Sequence, residues 1–173
     1  HIGHIRGQEC DRLHAIVMNL KNAGITCEEG DDWQLQQKGV CHTIQLIKGQ
    51  YFICSGSLVN NTAKDKKPYI LTAYHCSQTM DGLGEATDEE LQEWMFFFHM
   101  ERTGCDNSSS ENRYKTIVGC TRKAAIPIQN GSDGLLLLLN EYIPDNYDVF
   151  FNGWDRTGTP SPSGVGIHHP SGD

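Results

Sequence analysis

Positive charge is scarce in this chain: Lys and Arg number 14 against 22 Asp and Glu among 173 residues, giving a formal net charge of -8 and a pI near 5.4. A surface that grips a phosphate backbone needs clustered basic side chains, so nucleic acid is not an expected partner. Long apolar runs are missing as well. The run Leu135 to Leu139, which none exceeds, is far below the roughly 20 residues of a membrane-spanning helix, so no membrane span is expected. The 7 cysteines include no CxxC or CxxH spacing, which removes zinc fingers and ribbons, and no metal or other cofactor is expected. Internal repeats are absent. What remains is one domain's worth of chain with 38% hydrophobic and 21% charged residues, the texture of an ordinary folded protein.

Scattered cysteines at long separations read as a disulfide framework and hence an oxidising compartment: secreted, cell-surface or periplasmic. Their odd number leaves one of them free, paired between molecules, or paired with a part of the polypeptide outside this sequence. Leu13, Ile16, Val17 and Leu20 fall at i, i+3, i+4 and i+7, predicting a helix within Asp11 to Asn22. From Gly39 onward, short apolar stretches alternate with turn residues. Strands are expected at Val40 to Ile47, with Val40, His42, Ile44 and Leu46 as the alternating set, and at Tyr51 to Val59 and Tyr69 to Thr72. A turn or two of helix at Asp88 to Trp94 precedes a strand at Met95 to Met100, a polar loop and strands at Tyr114 to Thr121, Gly134 to Asn140 and Tyr147 to Asn152. Many short strands with little helix predict an all-β, antiparallel barrel or sandwich. The acidic runs at Glu28 to Asp32 and Asp88 to Glu93 lack the spacing of a calcium loop and read as solvated surface.

Two segments carry chemistry. In the stretch from Cys54 to Cys76, one cysteine lies in a strand and the other follows His75 at the end of the next strand, a spacing that lets the two sulfurs meet across adjacent strands. Such a clamp would fix an imidazole at a strand end, as a general base requires, although a lone histidine is more often a structural residue. In NGSDGLLLLLN, Asp133 stands immediately before a continuous apolar strand. A half-buried carboxylate there needs a partner, and an imidazole N–H would serve; read alone, it is an ordinary turn aspartate.

LTAYHC and SGSLV resemble the segment around the catalytic histidine of trypsin-like serine proteases, and the acid before the leucine run resembles that family's aspartate. CEEGDDWQ at 27–34, VFFNGWDRTG at 149–158 and VGIHHPSGD at 165–173 are similar to the secreted bacterial lysyl endopeptidases within that fold. The resemblance implies a chymotrypsin-like double antiparallel β-barrel, with residues 1–34 an N-terminal segment, 35–145 the first barrel and 146–173 the opening strands of a second. It implies His75 as general base, Asp133 as its orienting acid and Trp154 beside the histidine in the substrate cleft. Cys54–Cys76, Cys27–Cys105 and Cys41–Cys120 are the implied disulfides, with Cys10 left for a partner elsewhere. His168 and His169 would be structural residues on opposite faces of a strand. The family's Gly-x-Ser-Gly nucleophile motif does not occur, and Ser55, Ser132 and Ser171 all lie in other contexts. The expected partners are therefore a polypeptide substrate, cleaved after lysine, and the remaining C-terminal part of the protease domain, with this stretch inactive by itself. The alternative is a protease-like binding module without catalysis.

Overall fold

The structure is a computed structural model and describes residues 33–100, 114–160 and 162–169. The helix expected within Asp11 to Asn22, the acidic run at 28–32, and Cys10, Cys27 and Cys105 lie outside the described residues. Among the described residues a single helical turn, α1 (Gln34–Gln37), is followed by seven strands: β1 (Val40–Ile47), β2 (Gln50–Val59), β3 (Tyr69–Ala73), β4 (Met95–Phe98), β5 (Lys115–Val118), β6 (Cys120–Ile126) and β7 (Gly134–Leu139). Lys48 and Gly49 form the two-residue turn between β1 and β2. Both have positive φ, 50° and 76°, the backbone that matches the right-handed twist of paired strands.

All neighbours pair antiparallel, in the order β5-β4-β1-β2-β3-β7-β6. The two outermost strands of that order, β5 and β6, are separated in sequence by Gly119 alone. The sheet must therefore curl until its edges meet, and Gly119 sits at the seam. Its N–H donates to Trp94 O (2.8 Å) and its carbonyl accepts from Asn140 N (3.1 Å), joining the start of β4 to the end of β7. A φ of 83° and an Asn140 Nδ2 that a Cβ would meet at 2.4 Å require glycine there. The strand expected from Tyr114 to Thr121 is thus two strands turned at this residue. The chain is all-β, as its pattern of short runs predicted, and it curls in the manner of a chymotrypsin-like barrel.

Inside the curl lie Ile47, Leu58, Ile70, Phe96, Phe98, Leu135 and Leu137, each fully buried, with Trp94 and Leu91 closing one end. Burying side chains of this size is the main stabilising term, on the order of 2 kcal/mol each. In β1 the inward row is Cys41, Thr43, Gln45 and Ile47, opposite in phase to the alternating set Val40, His42, Ile44 and Leu46. Pairing decides this. Cys41 and Thr43 stand across from Phe98 and Phe96, and directly paired residues share a face. His42, on the other face, is only 2% exposed because Phe97 and His169 lie against it, so both faces of β1 are covered there.

The helical turn expected at Asp88 to Trp94 is a 3₁₀ turn, Glu90–Glu93. Thr87 Oγ1 accepts from Glu90 N (3.2 Å) and the Glu90 carboxylate accepts from Thr87 N (2.9 Å), a reciprocal cap. No strand forms over Tyr147 to Asn152. Asp145–Tyr147 is a 3₁₀ turn, Asp148 takes a left-handed φ of 52°, and the extended residues beyond it make one isolated bridge, Asn152 to Val59. That left-handed residue breaks the extended run before a ladder can begin. Residues 162–169 likewise hold no strand.

Candidate functional site

β3 and β7 are neighbours whose register ends with Ala73 opposite Gly134. Residues that follow Ala73 and precede Gly134 must therefore emerge at the same end of the barrel. Past Ala73 the chain tightens into a 3₁₀ turn, Tyr74–Ser77, and before Gly134 it passes through Asp133. Topology alone thus brings His75 and Asp133, 58 residues apart, side by side.

Two hydrogen bonds join them and a third ties Asp133 to the preceding Tyr74. Asp133 O accepts from Tyr74 N (2.9 Å), Asp133 Oδ1 from His75 N (2.9 Å), and Asp133 Oδ2 lies 2.6 Å from His75 Nδ1. An ionised carboxylate only accepts, so the proton of this last bond sits on Nδ1, and in a neutral ring Nε2 is then the nitrogen that carries the lone pair. The His75 hydrogen bond holds the Asp133 carboxyl below the usual carboxylate range, against the opposing effect of burial. Exposure separates the two: the Asp133 side chain is 18% exposed, the His75 side chain 64%. The carboxylate backs the ring while the far edge of the ring faces solvent. Asp133 has a left-handed φ of 55°, a backbone state that a non-glycine residue holds only when its surroundings enforce it.

A disulfide joins Cys54 of β2 to Cys76, the residue after His75, with Cα atoms 6.3 Å apart. Thr72 Oγ1 donates to Ser55 O (2.8 Å), so β2 grips β3 immediately before the turn. The sulfurs of Cys54 and Cys76 lie within 4.8 Å of a His75 ring nitrogen, but bonded to each other they offer no thiolate to a metal ion.

Other expected site residues lie elsewhere. Trp154 donates its indole N–H to Asn60 O (2.7 Å) just beyond β2 and is half exposed. It lines a cavity of about 510 Å³ with Val59, Tyr69, Leu71, Lys123 and Leu136, and His75 is not among its walls. The anchor of Trp154, Asn60, lies just beyond β2, and the cavity is at the Tyr69 end of β3. The Cys41–Cys120 pair is also not formed. Each is a buried free thiol, Cys41 Sγ donating to Gly56 O (3.5 Å) and Cys120 Sγ to Leu91 O (3.6 Å), so the two sulfurs are engaged with different backbone carbonyls. His169 packs edge-on against His42, centroids 5.6 Å apart, and its N–H donates to Ser55 Oγ (2.7 Å); the neighbouring His168 is exposed. That contact ties residues 167–169 to the strand carrying Cys54.

One set of contacts was missed by sequence reasoning. Arg122 of β6 donates to the Glu85 carboxylate and to Ala86 O, and Glu85 contacts Tyr74, the residue before His75. These residues are 37 apart, and no local pattern signals such a pair.

Among the described residues no helix is long and apolar enough to cross a membrane. The sequence pattern of the lysyl endopeptidase C-terminal domain family matches residues 20–173. A lysyl endopeptidase of Pseudomonas aeruginosa is 33% identical over 127 residues, which cover 72% of this chain and 25% of that protein. The matched stretch thus spans about a quarter of the length of its curated relative. With its barrel, its paired histidine and aspartate and this match over nearly its whole length, the chain belongs to the lysyl endopeptidase family of trypsin-like proteases.

Proposed function

We propose that these residues are the histidine and aspartate half of a secreted serine endopeptidase, with His75 as general base and Asp133 as its orienting acid. The observation that carries this is the 2.6 Å contact between His75 Nδ1 and Asp133 Oδ2. It leaves Nε2 as an acceptor on the open edge of the ring. A serine O–H placed there gives its proton to Nε2 as the oxygen bonds to the peptide carbonyl carbon. The imidazolium then passes that proton to the leaving amine, and water repeats the cycle on the acyl-enzyme. Asp133 stabilises the charged ring throughout and keeps the correct nitrogen protonated.

The serine and its oxyanion-binding amides belong, on this reading, to the protease domain beyond Asp173, and the stretch from 146 begins the second barrel. Cleavage after lysine is carried by the name of the Pseudomonas relative, and secretion is supported by the Cys54–Cys76 disulfide. The test is made on the full-length gene product, with peptides differing only in Lys, Arg or Leu before the scissile bond. Cleavage after Lys is expected, together with labelling of a serine by a fluorophosphonate. Asp133→Asn should lower kcat by roughly ten-thousand-fold. A full-length protein that neither cleaves nor labels overturns the enzyme reading and leaves the binding module.

A further inference from the structure

The Tyr74–Ser77 turn is held by a second group of contacts that do not involve Asp133. Ser77 Oγ donates to Tyr74 O (2.7 Å), closing the turn, and Ser77 O accepts from Ala86 N (2.8 Å). Gln78 and Glu85 form a bridge, so the loop between them returns to the turn it left. Arg122 fixes that return to the barrel wall: its guanidinium donates to the Glu85 carboxylate and, at 3.2 Å, to Ala86 O. Both partners are partly sheltered, 26% and 37% exposed. Arg122 lies on β6 opposite Leu137 of β7, the strand whose first residue follows Asp133. Tyr74 joins the group through the Glu85 carboxylate, which acts on its phenol. Burial, first, and the nearby Glu85 charge push its phenol above the ordinary range.

His75 needs such support. With its side chain 64% exposed, little packing locks the ring, and its orientation depends on where the backbone of a four-residue turn sits relative to the mouth of β7. The two sides of the His75–Asp133 contact belong to different elements. Glu85, bridged to Gln78 just past the turn, and Arg122, on the β6 strand that pairs with β7, link the neighbours of those two elements. We propose that the Glu85–Arg122 ion pair is a positioning device for His75, fixing the Tyr74–Ser77 turn against β6 so that the imidazole stays on Asp133. This rests on the reading of His75 and Asp133 as a catalytic pair and adds a residue pair that acts through them.

The test reads Asp133 itself, by carbon-13 carboxyl NMR titration of the full-length gene product. His75→Ala removes the main cause of the lowered carboxyl and should raise its midpoint. Two mechanisms then differ in sign. By direct charge alone, Glu85→Gln would lower the Asp133 midpoint and Arg122→Met would raise it. By loss of positioning, both raise it toward the His75→Ala value, by about half a pH unit or more. We expect both to rise. A lowered or unmoved midpoint in Glu85→Gln overturns the proposal, even if the variant melts at a lower temperature. Should either variant fail to fold, Tyr74→Phe and Arg122→Lys each remove part of the linkage without altering net charge, and an unmoved midpoint in both overturns it equally. If His75→Ala leaves the midpoint unmoved, the His75–Asp133 pairing falls and the proposed function with it. If only the Glu85 and Arg122 variants are silent, the positioning role alone falls.

Discussion

Asp133 meets His75 twice: Oδ1 accepts the backbone N–H of His75 and Oδ2 its ring Nδ1, at 2.9 and 2.6 Å. One carboxylate thereby fixes both the main chain and the ring of the same residue. The first bond sets where the ring is attached and the second which way it faces, so rotation of either group breaks a contact. Burial of a carboxylate at the mouth of an apolar strand would be unfavourable alone, and the two donors offset it.

The first prediction concerns pH. The folded Asp133 carboxyl titrates below its unfolded value, so its pairing contributes stability above the unfolded pKa of about 4 and loses it as pH falls through the folded value. Asp133→Asn should therefore be less stable than the parent at pH 6, with the gap closing in acid. Urea unfolding at a series of pH values measures this. A gap that persists unchanged at pH 2 contradicts it.

The disulfide gives the second. Cys54 and Cys76 close a loop with a separation of 22 residues, for which the chain-entropy account gives about 3 kcal/mol. Replacing both by serine should lower the thermal midpoint by roughly 6–12 °C, using the usual conversion for a domain of this size. Because the bridge ends one residue after His75, the backbone N–H of His75 should also exchange faster with solvent in the double variant. Equal exchange in the two proteins would show that the bridge serves global stability alone.

How much was legible in the sequence follows from the range over which each feature is decided. The strand at Val40 to Ile47 and the leucine strand from Gly134 were readable because turn residues flank them. His75 and Asp133 were singled out by the resemblance of LTAYHC and of the acid before the leucine run to trypsin-like motifs, since strand-end position alone reads as a structural histidine and a turn aspartate. The face of β1 was not, since it depends on Phe96 and Phe98 across the sheet and on His169 covering His42. The break at Gly119 was hidden for the same reason: glycine there answers to Asn140 and Gln92, which approach only when the barrel curls. Trp154, tied to Asn60, and Arg122, tied to Glu85, are choices made by tertiary contact, with no periodic trace along the chain.

Gly119 supplies the third prediction. Alanine at this position meets both a left-handed backbone and an Asn140 side chain at 2.4 Å, whereas alanine at Gly49, also left-handed, meets open space. Gly49→Ala should cost about 1 kcal/mol from backbone conformation, and Gly119→Ala clearly more. Thermal unfolding of the two variants side by side separates conformation from closure of the barrel. Equal losses would mean that the seam is not a close-packed point.

The last prediction turns on the thiols of Cys41 and Cys120. Both are buried, and burial pushes each up to about 12. A thiol is reactive as its thiolate, so both should resist alkylation at pH 8 in the folded protein and react once guanidinium unfolds it. Peptide mapping after differential labelling reads each site separately. The linkage has a definite sign. With the folded pKa above the unfolded value of about 8.5, the two thiols contribute stability that is complete below that pH and is lost as pH rises toward the folded value. Folding stability should therefore decline between pH 8.5 and 11. Cys41→Ala combined with Cys120→Ala should flatten that decline while lowering stability at neutral pH through the cavities left behind. Rapid labelling of either thiol in the native state would contradict the burial on which this rests.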